Sequence, residues 1–136
     1  MCKLGDIIVI SEFKNEFNQI VKRHSFVVID EKENTIEGMN YDFVSNMLCS
    51  FHNENHRKRK LSFKENLEIS KKSIINNNLN EKNGFIKADQ LYYFNKANID
   101  YHIIGKLNDR AMKKLFQLLI MLDNEDRIKY ITTNLK

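Results

Sequence analysis

Apolar residues in this chain gather in short runs, and polar stretches separate them. Asp6-Ile7-Ile8-Val9-Ile10, entered through Gly5, reads as a buried strand, and Ser25-Phe26-Val27-Val28-Ile29-Asp30 as a second. A third strand falls within Tyr41 to Ser50, ending at Met47-Leu48-Cys49-Ser50. Leu67-Glu68-Ile69, Phe85 to Phe94 and Tyr101 to Leu107 complete the strand set. Between the first two strands, Phe13, Phe17, Ile20 and Val21 have spacing that suits a short amphipathic helix or a long loop with anchoring side chains. Glu31 to Asn40, with Gly38, reads as a turn, and Ser70 to Asn83 as a polar loop.

The C-terminal part has a helical period. Asn108 is a natural N-cap, Asp109 suits the positive end of the helix dipole, and Leu107 and Met112 have the spacing of a hydrophobic staple. Met112, Leu115, Leu119 and Leu122 form an apolar stripe, read as core or dimer contact, and Asn124 to Leu135 is expected to carry a second short helix. Short strands followed by a helix indicate a mainly β, α+β fold, and a small barrel with a C-terminal helix fits the order.

The length of 136 residues suggests one domain spanning 1–136. No apolar run is long enough to cross a bilayer, and the N-terminus lacks a signal-peptide pattern, so the expected location is cytoplasmic, with no membrane partner. Cys2 and Cys49 make no disulfide framework, and neither has zinc-ligand spacing to another cysteine or histidine; no metal or cofactor is expected. A net charge of +4 permits nucleic acid as a partner without showing it.

The chemistry centres on Gly84-Phe85-Ile86-Lys87-Ala88-Asp89-Gln90-Leu91. On a strand, Lys87 and Asp89 project to the same side, where an ammonium and a carboxylate can stabilise a phosphate and move a proton. On an exposed face, such a pair is more often simply solvated. The stretch is similar to the Gly-x-Ile-(Arg/Lys)-x-Asp-Gln strand of the PemK/Kid/MazF toxins. Other segments resemble that family in the same order. Gly5-Asp6-Ile7-Ile8 looks like its opening strand, Ser25 to Ile29 its second, and Asn66 to Ile69 its Val-Glu-Ile strand. His102 to Lys114 is similar to its closing strand and helix. The family's Arg-Pro is His24-Ser25 here, and its Gln-x-Arg-Thr is Gln90-Leu91-Tyr92-Tyr93, so both family arginines are replaced.

The resemblance implies a CcdB/PemK-type β-barrel and a growth-inhibiting toxin of a toxin–antitoxin pair. Such a toxin is a homodimer that cleaves single-stranded RNA without metal and is neutralised by a cognate antitoxin. It implies Asp89 as the base that takes the ribose 2′-hydroxyl proton and Lys87 as the stabiliser of the charged phosphorane. His24, in the position of the family's arginine, would act in its protonated form, and Ser50 would hydrogen-bond the scissile phosphate. The basic run His56-Arg57-Lys58-Arg59-Lys60, with His52 before it, reads as a backbone-tracking segment or as a solvated face on a flexible loop. Tyr92 is the candidate for stacking on a base. Cys49 reads as packing, with no base apparent beside it. A barrel that kept the fold and binds a partner without catalysis is the alternative. A relative of the RNA-inhibited ToxN toxins is a third reading. Convergence of His24, Ser50, Lys87 and Asp89 on one cleft would separate the first two.

Overall fold

The computed structural model describes residues 2–31, 40–75 and 83–135. Over these described residues it is a mainly antiparallel sheet with two α-helices, an α+β architecture. The strands are β1 (Asp6–Lys14), β2 (Ile20–Asp30), β3 (Phe43–Ser50), β4 (Asn66–Ile69), β5 (Ile74–Ile75), β6 (Gly84–Lys87), β7 (Gln90–Phe94), β8 (Tyr101–Leu107) and β9 (Lys129–Ile131). The helices are α1 (Glu54–Leu61) and α2 (Asp109–Asn124). The strands run in the order β4-β6-β3-β2-β1-β8-β5, with β7 on the other half of β3 and β9 parallel beside β7.

The apolar runs of β1 and β2 are continuous because both of their faces are buried. Ile7, Val9, Val27 and Ile29 face one cluster, which α2 covers with Ala111, Met112, Leu115, Leu119 and Leu122. The alternate residues Ile8, Ile10, Phe26 and Val28 face a second cluster with Phe13, Phe43, Tyr92 and Phe94. The apolar stripe of α2 is therefore core. The expected cap is present, with Asn108 Oδ1 accepting the amide of Ala111 at 2.8 Å.

Four local expectations are corrected. Ser11 to Arg23 is neither helix nor long loop: β1 and β2 continue as a hairpin through Glu12↔Lys22, Phe13↔Val21 and Lys14↔Ile20. The tight turn between them holds Asn18 at φ 63°, and the Asn15 side chain accepts the amides of Phe17 and Gln19 at 3.0 Å. Phe13 enters the core while Phe17 and Ile20 stay exposed, so their helical spacing carried no helix. The basic run is a helix, not a loop: Asn53 Oδ1 caps it at the amide of His56, and Lys58, Arg59 and Lys60 sit at its negative end.

Asn124 to Leu135 holds no second helix. The α2 helix closes with Asp126 at φ 54° and the Arg127 amide on the Leu122 carbonyl, a Schellman end, and β9 follows. The fourth correction concerns Phe85 to Phe94, which is two strands. The chain bends at Ala88-Asp89, and β6 and β7 lie end to end along β3, opposite Leu48–Ser50 and Phe43–Ser45 respectively. The turn expected over 31–40 lies mostly outside the described residues, as do 76–82 of the expected polar loop. The part described, Lys71–Ile75, is a 3₁₀ turn followed by β5.

Candidate functional site

The site begins with a register. Ser25 pairs with Leu48, which sets His24 across from Cys49 on the neighbouring strand. Their side chains meet, with His24 Nε2 3.5 Å from Cys49 Sγ. On the other edge of β3, Gly84 pairs with Ser50. Only glycine fits there, because a Cβ would lie 2.2 Å from the Cys49 carbonyl oxygen. That close approach seats β6 and carries Lys87 into the same region.

The short link after Ser50 then turns into α1. One face of that helix, carrying His56 and Lys60 four residues apart, is directed at the strands. Together these elements border an open cavity of about 470 Å³. His24, Ser50 and Lys87 line it, and so do Cys49, His52, His56, Lys60 and Arg23. No carboxylate is among the described residues that line it.

Three of the four residues expected to be catalytic are thus together, and the fourth is apart. Asp89 sits in the bend after β6 and does not line the cavity. Its backbone carbonyl accepts the Lys129 amide at 2.7 Å. Burial, then the nearby Glu65, raises the pKa of its carboxyl, against the pull of Lys129 and Lys87. The expectation that Lys87 and Asp89 share one strand face fails because the strand ends between them. Asn46 enforces this bend: its buried side-chain amide donates to the carbonyls of Lys87 (3.2 Å), Ala88 (3.4 Å) and Gln90 (2.8 Å).

The basic run also divides. His56 and Lys60 reach the cavity, while Arg57, Lys58 and Arg59 do not line it. Arg57 is instead ion-paired with Glu68 at 2.8 Å and Glu54 at 3.2 Å. Tyr92, expected to stack on a base, is 3% exposed and packs against Phe13, Phe26 and Phe94. Its ring is part of the core, and its hydroxyl pKa is pushed up to about 12 by burial. Tyr93 is equally buried on the opposite face.

The electrostatics follow from burial among cations. The pKa of His24 is lowered, first by burial and then by the Lys87 charge, against a hydrogen bond to the Leu48 backbone. Burial raises the Cys49 thiol, with Lys87 and Lys60 opposing. The pair therefore favours a neutral imidazole beside a protonated thiol. His56 is also lowered, by desolvation and then by His52, Arg59 and Lys60. Its Nδ1 accepts the His52 amide at 3.1 Å, which leaves Nε2 to carry the proton of the neutral ring.

Sequence reasoning missed three participants. Cys49 does have a base beside it, visible only once the β2–β3 register is known. An arginine does reach the cavity: Arg23, one residue before His24. Asn46 gave no signal, being an ordinary residue inside a strand. Among the described residues, no three His, Cys, Asp or Glu side chains gather as a metal-ion set, and no helix is long and apolar enough to cross a membrane. No family model matches the chain, and no curated protein matches it.

Proposed function

We propose that the protein is an endoribonuclease that cleaves single-stranded RNA by attack of the ribose 2′-hydroxyl on the adjacent phosphorus. The observation that carries this reading is the convergence of His24, Ser50 and Lys87, with Lys60 and Arg23, on one cationic cavity with no carboxylate among its described lining residues. A phosphodiester is an anion, and such a cavity favours it over cationic or neutral ligands. With Asp89 outside the cavity, the base is His24, whose surroundings favour the neutral imidazole.

In the reaction, His24 takes the 2′-hydroxyl proton and the 2′-oxygen bonds to phosphorus. Lys87 and Lys60 stabilise the charge on the phosphorane, and Ser50 donates a hydrogen bond to a non-bridging oxygen. The bond to the 5′-oxygen breaks, and the leaving oxygen takes its proton from the Lys87 ammonium. The products are a 2′,3′-cyclic phosphate and a 5′-hydroxyl, and solvent resets both side chains.

The same reading makes the chain a PemK/MazF-like toxin with a closed small barrel, held in check by a cognate antitoxin and acting as a homodimer. Since the α2 stripe is core, the dimer contact falls to outward apolar residues such as Ile120 (63% exposed) and Tyr130 (55% exposed). Sedimentation equilibrium should give about twice the 16.2 kDa chain mass, and a clean monomer at micromolar concentration refutes this part. The deciding experiment for cleavage is incubation with a diverse single-stranded RNA pool in chelator, reading the termini produced. Cleavage to the cyclic phosphate is expected. RNA that is bound but left intact would favour the alternative, a non-catalytic module that binds nucleic acid.

A further inference from the structure

Phe85, His56 and His52 line the cavity and, with Phe51 packed among them, form a series of rings that grades from core to solvent. Phe85 is 1% exposed, and Phe51 lies stacked on it with centroids 5.2 Å apart and planes at 26°. His56 meets both edge-on, at 6.2 Å from Phe85 and 6.3 Å from Phe51. His52 comes last, tilted 39° against His56 at 4.5 Å, and it is exposed while lining the cavity. The series is held from both ends. Phe85 is fixed by β6, and the His52 amide is bonded to His56 Nδ1 on the capped first turn of α1. Its open end adjoins the cations Arg23, Lys60 and Lys87 that line the same cavity.

We propose that His52, at the open end of this ring series, is the stacking platform for a nucleobase whose phosphate is held by Lys60 and Lys87. This rests on the nucleic-acid reading of the cavity and adds a base subsite to it. It also moves the stacking role away from Tyr92, whose ring is closed into the core. A π-face accepts any base, so the subsite adds affinity with little sequence preference, whereas the cations alone would hold a bare backbone equally well. His56 restrains the His52 ring by its tilted contact and the His52 backbone through the amide on Nδ1, which lowers the side-chain freedom lost when a base settles on it.

The test uses two fluorescent strands at one fixed salt concentration: a 2′-O-methyl RNA, which cannot be cleaved, and the same backbone without bases. The intact chain should bind the base-bearing strand more tightly. His52→Ala should weaken that strand by about fivefold or more while leaving the abasic strand unchanged. His52→Phe should keep the preference, because it retains a ring without a titrating nitrogen. If His52→Ala binds both strands as the intact chain does, or His52→Phe loses the preference as alanine does, the platform is refuted and the cationic cavity stands. If the intact chain binds neither strand, the nucleic-acid reading fails and the platform with it.

Discussion

Replacing Gly84 with alanine tests the contact that seats β6 on β3. The added Cβ would lie 2.2 Å from the Cys49 carbonyl oxygen and 3.2 Å from its carbon. An unstrained contact needs roughly 1 Å more, and the obstacle is backbone in the middle of a sheet, not the free end of a side chain. Relief requires the two strands to part where Cys49↔Phe85 and Ser50↔Gly84 pair. Overpacking of this kind costs about 1–3 kcal/mol, and a rigid obstacle places it at the upper end. With unfolding entropy of roughly 2 cal/mol/K per residue, 3 kcal/mol lowers the melting temperature of a chain this size by about 10 °C. Gly5→Ala is the comparison. Gly5 has φ +87° but its Cβ would meet only ordinary contacts at 3.5 Å and beyond, so the cost is backbone strain of about 1 kcal/mol. Thermal and urea unfolding of both variants gives the answer. Gly84→Ala melting within 2 °C or so of the intact chain, or above Gly5→Ala, would mean that β6 does not sit this close and that Lys87 reaches the cavity by other means.

Three further outcomes are expected. For pH, the sign follows from the role: a base works unprotonated, and His24 lies below its usual 6.5, so cleavage should rise with pH through a value under 6.5 and then level off. This inverts the dependence expected if His24 replaced an arginine as a cation. His24→Ala should abolish the limb and cost roughly a hundredfold or more, and a rate that falls as pH rises through that range rules out His24 as the base. Asn46→Leu removes the donor shared by three carbonyls, a loss only partly offset because Asn46 Oδ1 is itself buried without a partner. Denaturant titration should show about 1–3 kcal/mol of destabilisation, and no loss would mean the bend holds without it. In the basic run, Lys60→Ala should lower the salt slope of single-strand binding by about 0.7, whereas Arg57→Ala, already paired with Glu68 and Glu54, should leave it nearly unchanged. Equal effects would show that the whole helix tracks the backbone.

What could be read from the sequence was what local chemistry decides. The cores of β1 and β2, the Asn108 cap and the α2 stripe each depend on residues within one element, and each stands where the pattern put it. The hairpin extension depends on pairing between strands, which outweighed a helical spacing at Phe13, Phe17, Ile20 and Val21. The bend after Lys87 depends on an asparagine side chain from β3, so an unbroken strand pattern from Phe85 to Phe94 concealed it. The site was legible in part for the same reason. His24, Ser50 and Lys87, named from the sequence, do line one cavity, but the Cys49 contact needs a register, and the division of His56 and Lys60 from Arg57, Lys58 and Arg59 needs the helix to face a particular way.

The cavity has no local nucleus. His24 arrives with β2, Ser50 with β3, Lys60 with α1 and Lys87 with β6, and the pairings that unite them join segments far apart in sequence. Closing such long loops is slow, and it comes before the contacts that reward it. A chain still being synthesised carries the cations of α1 while β6 is not yet made, so it has the charge without the assembled cavity. In timing, then, the cavity is complete only once β6 has docked on β3 and brought Lys87 to it, so on the ribonuclease reading activity would begin no earlier than that step.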